Sequence, residues 1–141
     1  MTIDEKGQEL AEEFALFEDS MDKYEYIIDL GKSLPPMNEE LKTDDRVVKG
    51  CQSTVWLDAT LEDGKVVYVA DSNTVITKGI IAILIRILSE ETPTAIAEHS
   101  FDFLDKINLR AHLSSQRSNG LTAMMKLMKQ YAHVFQLKDK Q

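Results

Sequence analysis

Along the first eighteen residues the apolar positions Ile3, Leu10, Phe14 and Phe17 fall at helical steps among Glu9, Glu12 and Glu13. That is the pattern of an amphipathic helix, and it predicts an end near Glu18. A second helix follows, with Asp19 or Ser20 as its cap and Tyr24, Ile27, Ile28 and Leu30 as its buried stripe. Gly31 and the pair Pro35 and Pro36 are read as its stop. Residues 37–45 are polar and irregular, and 46–48 offer a short β-branched opening ahead of Gly50 and Cys51. Val55, Leu57, Ala59 and Leu61 then alternate with Thr54, Trp56, Asp58 and Thr60, the two-residue period of a strand. Asp63-Gly64 is a tight hairpin turn, and 66–70 return as the partner strand.

Asp71, Ser72 and Asn73 end that strand and supply oxygens to cap a helix over 74–88. Its apolar residues Ile76, Ile80, Ile81, Ile83, Leu84, Ile87 and Leu88 cover most of its circumference, which marks the central packing helix. Thr94 is expected to cap a short helix toward Leu104, with Pro93 at the break. Ser114, Ser115 or Ser118 opens the last helix, where Leu121, Met124, Met125, Met128, Tyr131 and Phe135 keep helical spacing. Two helices, a hairpin and three helices predict an α+β fold, a small antiparallel sheet of a hairpin plus a short strand packed against several α-helices. The 141 residues suit one domain, 1–141, with no repeat or linker.

Composition narrows the partners. Sixteen basic residues against twenty-four acidic ones give a net charge of −8, which repels the phosphate backbone and argues against nucleic acid. The same charge serves solubility or steers the chain toward a basic protein surface. The most apolar stretch, 75–88, carries Lys78 and Arg86 and is shorter than the ~20 residues that span a bilayer, so no membrane partner is expected. The opening residues are polar and acidic, unlike a secretory signal. A lone thiol suits a reducing compartment, and the expected location is cytoplasmic.

That thiol, Cys51, is the first candidate for chemistry, because a thiolate is the nucleophile for sulfur, disulfide and acyl transfer at neutral pH. It stands in Lys49-Gly50-Cys51-Gln52-Ser53. Gly50 permits positive φ or close backbone approach, and Lys49 has the charge that favours a thiolate but is assigned no catalytic role. The bland alternative is a buried structural cysteine. Cysteine hydrolases need a histidine base, and His99, His112 and His133 all lie downstream with no motif around them. A sulfur relay needs less: a positioned thiolate, and a pocket that keeps the persulfide from solvent and reductants. Val48, Val55 and Trp56 are the expected walls of that pocket, although Trp56 by itself reads first as a core aromatic.

The run Val48-Lys49-Gly50-Cys51-Gln52-Ser53-Thr54-Val55-Trp56-Leu57 resembles the signature of the SufE family, sulfur acceptors for cysteine desulfurases that include the CsdE branch. Four further segments match in order: 24–35, Asp71-Ser72, Lys78-Gly79, and His112-Leu113-Ser114 through Arg117, Asn119, Gly120, Leu121 and Met124. The resemblance covers nearly the whole chain. It implies a fold like that of SufE and of the U-type iron-sulfur scaffolds. It also implies that Cys51 takes sulfur from a persulfide on a pyridoxal-phosphate-dependent desulfurase, stimulates that enzyme, and passes the sulfur to a downstream acceptor or iron-sulfur scaffold. The pyridoxal phosphate belongs to the partner, and no cofactor or metal is expected on this chain.

Gly50, Gln52, Ser53, Asp71, Arg117, Asn119 and Gly120 are the expected partner-binding or supporting residues. Asp71 also reads as a helix cap, and Arg117 as a surface ion pair or helix-start contact beside its role as a cation near Cys51. Asn119 and Gly120 are expected to shape a turn. Two alternatives share the residues. An iron-sulfur scaffold needs several Cys or His ligands, and a thiol redox sensor needs a resolving thiol.

Overall fold

The computed structural model describes residues 1–139; Lys140 and Gln141, the end of the expected 1–141 unit, lie outside the described residues. Helix α1 runs Ile3–Phe14, opened by a capping box in which Thr2 and Glu5 each satisfy the other's backbone N–H. It ends four residues before the expected Glu18. Phe17 leaves the helical path to lie against Tyr26 of the next helix, with ring centroids 5.0 Å apart, and that contact requires the chain to reverse early.

Helix α2, Ser20–Lys32, is capped by Asp19, whose Oδ1 accepts from the Met21 N–H at 3.0 Å. It passes straight through Gly31, so the reading of this glycine as a stop is corrected. Gly31 is a packing residue: a Cβ there would stand 2.7 Å from the Gly79 backbone nitrogen. Tyr24, Ile28 and Leu30 are only half-buried, and Ile27 carries the contact.

After two short 3-10 turns, Glu39–Leu41 and Asp44–Arg46, strands β1 (Val55–Glu62) and β2 (Lys65–Ser72) pair antiparallel from Val55↔Ser72 to Glu62↔Lys65. Asp63 and Gly64 both take positive φ, 53° and 77°, as a two-residue hairpin turn demands. The expected third strand reduces to one bridge, Val47 with Trp56. Val55, Leu57, Val66, Tyr68 and Ala70 point inward on alternate positions. Tyr68 donates from its hydroxyl to the Met128 carbonyl at 2.7 Å, fastening the sheet to the last helix.

Helix α3, Val75–Leu88, is the centre of the core and packs against α1, α2, β2 and the last helix. Arg86 near its end binds Glu9 and Glu13 of α1, and Tyr26 of α2 shares Glu13, so one guanidinium ties three helices. The short helix expected to start at Thr94 starts at Pro93 instead. Thr92 caps α4, Pro93–Glu98, accepting from the Ala95 N–H at 3.2 Å, and Pro93 occupies the first turn, where its missing N–H has no partner to lose. The path toward Leu104 breaks into a separate turn, α5, Phe103–Lys106.

Helix α6, Ser115–Asp139, opens at Ser114, whose Oγ accepts from the Arg117 N–H at 3.2 Å. Asn119 and Gly120, expected in a turn, lie inside this helix. The helix opens at Ser114, the earliest of the three expected serines, five residues before Asn119. Among the described residues no helix is long and apolar enough to cross a membrane.

Candidate functional site

Residues 49–53 form a loop pinned at both ends. On one side the buried Val48 donates its N–H to the Val55 carbonyl at 2.8 Å. On the other, Thr54 donates to the Asn73 side chain at 3.1 Å, and its carbonyl accepts from the Asn73 N–H at 3.2 Å and the Ser72 hydroxyl at 2.8 Å. Between these anchors the chain lies on one face of α6. Gly50 adopts φ +95°, a conformation L side chains rarely take, and a Cβ there would stand 3.3 Å from the Ala123 Cβ. One helical turn away, Cys51 rests on Gly120. A Cβ at Gly120 would meet the Cys51 sulfur at 3.3 Å, so the two glycines set how closely loop and helix approach.

Cys51 is half-buried, and its thiol donates to the Gly120 carbonyl at 3.5 Å. Burial pushes its pKa up, and burial is the whole cause: no charge or hydrogen bond offsets it. Lys49, expected to favour the thiolate, is exposed and contributes nothing to that shift. Beside the sulfur lies a cavity of about 20 Å³, lined by Gln52, Ser53, Thr77, Ile80, Gln116, Arg117, Gly120 and Met124. Val48, Val55 and Trp56, the expected walls, do not line it. Val48 and Val55 are in the core behind the loop, and Trp56 is half-buried under Lys42, whose Nζ is 5.6 Å from the ring centroid.

Of the residues singled out from sequence, Gln52, Ser53, Arg117 and Gly120 are brought to the Cys51 cavity. Arg117 is exposed at the first turn of α6, and its Nη1 donates to the Tyr24 hydroxyl at 3.1 Å. Gly50 and Asn119 line a separate, larger cavity of about 600 Å³ on the other side of the loop. Asp71 is neither a cap nor a neighbour of the thiol. It joins Lys42 at 2.7 Å and Lys78 at 3.4 Å near the end of β2. Burial acts to raise its pKa, but the hydrogen bonds from Lys42 and the Ser72 N–H and the two lysine charges hold it below the ordinary carboxylate value.

Thr77, Ile80, Gln116 and Met124 were not singled out for the site. Their spacing was available: 77 and 80 share a face of α3, and 116, 120 and 124 share one of α6. Nothing local says that those two faces meet at residue 51. His99 bonds Asp4 at 2.9 Å, His112 lines a different pocket with Tyr24, and His133 is exposed, so no histidine among the described residues adjoins the thiol. Nor do the described residues gather three or more His, Cys, Asp or Glu side chains into a metal-binding group.

This geometry predicts slow chemistry at the resting thiol. At neutral pH a thiol reagent should label native Cys51 on the order of tenfold or more slower than the urea-unfolded chain, because the loop must first open. Gly120→Val, which places a branched side chain against the sulfur, should remove much of that protection. Equal rates for native and unfolded protein would show that the loop is already open. The shift also sets a sign: the raised thiol pKa contributes stability that is present below the ordinary thiol value and is lost as pH rises through the folded one.

Residues 8–132 match the family model described as SufE, the Fe-S metabolism associated domain. The chain belongs to the SufE family. It is 41% identical to a SufE-like protein of Synechocystis over 91% of this chain and 80% of that one. It is 38% identical to the sulfur acceptor protein CsdE of Escherichia coli over 73% of this chain and 71% of that one. A solution structure of a hypothetical protein from Thermus thermophilus shares the fold, with a TM-score of 0.78 at 19% identity and coverage of 94% of this chain and 96% of that one. The resemblance carried by the segment around Cys51 is thereby borne out at the level of the family, and the α+β class with it.

Proposed function

We propose that this SufE-family protein is a cytoplasmic sulfur carrier, in which Cys51 accepts sulfur as a persulfide from a pyridoxal-phosphate-dependent cysteine desulfurase. In doing so it stimulates that enzyme, and it relays the sulfur to iron-sulfur cluster assembly or another acceptor. The observation that carries the reading is the seat of Cys51: the only thiol of a SufE-family chain is held against the Gly120 carbonyl beside a cavity with room for about one further atom. A purely structural cysteine needs neither the adjoining space nor a loop over glycine.

The transfer is a thiol exchange. Cys51 Sγ attacks the outer sulfur of the donor persulfide, a new S–S bond forms to Sγ, and the donor's S–S bond breaks. The donor cysteine leaves as a thiolate and takes up the proton that Cys51 gave up, so no outside oxidant or reductant enters. Because the resting sulfur is half-buried against the Gly120 carbonyl, attack requires the loop to leave α6, and Gly50 supplies the backbone freedom. After loading, return of the loop shields the persulfide from thiols in solution. The pyridoxal phosphate is assigned to the partner, and nothing in this step asks for a cofactor on the carrier.

Mass spectrometry after incubation with a cysteine desulfurase and free cysteine tests the proposal. One added sulfur is expected, on the peptide that contains Cys51. A chain that gains no sulfur under conditions in which the desulfurase turns over would sink it.

A further inference from the structure

The hydroxyl groups beside the thiol leave one hydrogen-bond donor unused. Thr74 Oγ1 donates to Ser53 Oγ at 3.0 Å, and Thr77 Oγ1 donates to the same oxygen at 3.3 Å. A serine hydroxyl has two acceptor positions and one hydrogen. Two contacts among these three hydroxyls use two of their three hydrogens, and with both threonines donating the one left over is that of Ser53, which meets no acceptor among the described residues. Thr77 is buried, with 4% of its surface exposed, and Thr74 makes no side-chain cap bond at the start of α3 because its hydroxyl is turned toward Ser53. Ser53 and Thr77 both line the Cys51 cavity.

Loading changes what the sulfur needs. The resting thiol is a donor, and the Gly120 carbonyl accepts from it. Once Sγ carries a second sulfur, about 2.05 Å away, it has no hydrogen to give. The outer sulfur, ionised as a perthiolate, carries only lone pairs, so it requires a donor and gains nothing from a carbonyl. The cavity of about 20 Å³ is of the size of that one atom. Sγ bonds to the Gly120 carbonyl and, among the described residues, not to Ser53, so the Ser53 hydroxyl remains for an atom beyond it.

We propose that the Ser53 hydroxyl donates a hydrogen bond to the outer sulfur of the Cys51 persulfide, with Thr74 and Thr77 as positioning residues that fix its oxygen and turn its hydrogen into the cavity. The inference rests on the sulfur-carrier reading above. Donation from two threonines polarises the serine and strengthens its bond to an anion. Stabilising the perthiolate lowers the persulfide pKa and slows stripping, because an attacking thiolate reacts poorly with a negatively charged sulfur.

The test loads the full-length parent, Ser53→Ala, Ser53→Thr and Thr77→Val with sulfur from a cysteine desulfurase and cysteine. Loss of that sulfur to dithiothreitol is then followed by mass spectrometry across pH, and the unloaded thiol of each variant is labelled in parallel. Ser53→Ala is expected to lose sulfur about tenfold faster, with the pH midpoint of its persulfide raised by about one unit. Ser53→Thr should restore the parent behaviour, Thr77→Val should fall between, and in each variant the change in labelling of the unloaded thiol should be much smaller than the change in persulfide lifetime. A Ser53→Ala persulfide with the parent's lifetime and pH profile overturns the proposal, as does a lifetime loss matched by equal acceleration of labelling in the unloaded protein, which would mean only a loosened loop. If Thr77→Val fails to fold, the Ser53→Ala and Ser53→Thr pair decides alone. No persulfide on the parent chain overturns the carrier reading and this inference together, whereas a loaded parent with an unaffected Ser53→Ala overturns this inference only.

Discussion

Replacing Cys51 with serine will abolish sulfur acceptance and leave the fold intact. The hydroxyl is nearly isosteric with the thiol and can donate to the same Gly120 carbonyl, so the loop keeps its contact with α6. The loss of a little sulfur-sized packing at a half-buried position should cost less than about 1 kcal/mol, and circular dichroism and the melting temperature should barely move. An alkoxide does not form at neutral pH, and no stable oxygen analogue of the persulfide results. The variant should therefore show no added sulfur by mass spectrometry. It should also fail to stimulate cysteine turnover by the desulfurase when no other thiol is present. Stimulation at the parent level under those conditions would show that Cys51 is not the acceptor.

Gly79→Ala will be strongly destabilising, although alanine is the better helix former. The exchange gains about 1 kcal/mol of helix propensity in α3. Against that, a Cβ at 79 would stand 2.7 Å from the Ile27 carbonyl carbon and 2.8 Å from the Ile27 Cγ2. The first of these is backbone and cannot rotate away, so α2 must shift from α3. Overpacking of this kind costs about 3 kcal/mol or more, and the clash outweighs the propensity. Because α2 carries the Tyr24 partner of Arg117, its displacement should also disturb the mouth of the Cys51 cavity. A urea titration is expected to give a clearly lower midpoint for Gly79→Ala. A midpoint equal to or above the parent's would show that the two helices do not approach through this glycine pair.

Much of the chain was legible because its signals are local. Asp19 as a cap, Asp63-Gly64 as a two-residue turn, the alternation from Val55 and the nearly all-apolar helix at 75–88 each follow from the conformational preferences of a few neighbouring residues. The misreadings were places where a distant contact overrode that preference. Gly31 has the composition of a helix stop, yet it serves the close approach of α2 to α3. Phe17 keeps helical spacing, yet it leaves the helix to reach Tyr26. Asp71 has the chemistry of a cap, yet Lys42 and Lys78 claim it.

The candidate site divides along the same line. The α+β class, the family motif and the singular thiol after a glycine are carried by composition and residue order. What surrounds that thiol follows from long-range packing. The Gly120 carbonyl that accepts from it lies 69 residues away along the chain, and the threonines that aim Ser53 lie 21 and 24 away. Such neighbours are chosen by how helices α3 and α6 pack across the loop, and burial, which raises the Cys51 thiol's pKa, is likewise a property of that packing rather than of residues 49–53.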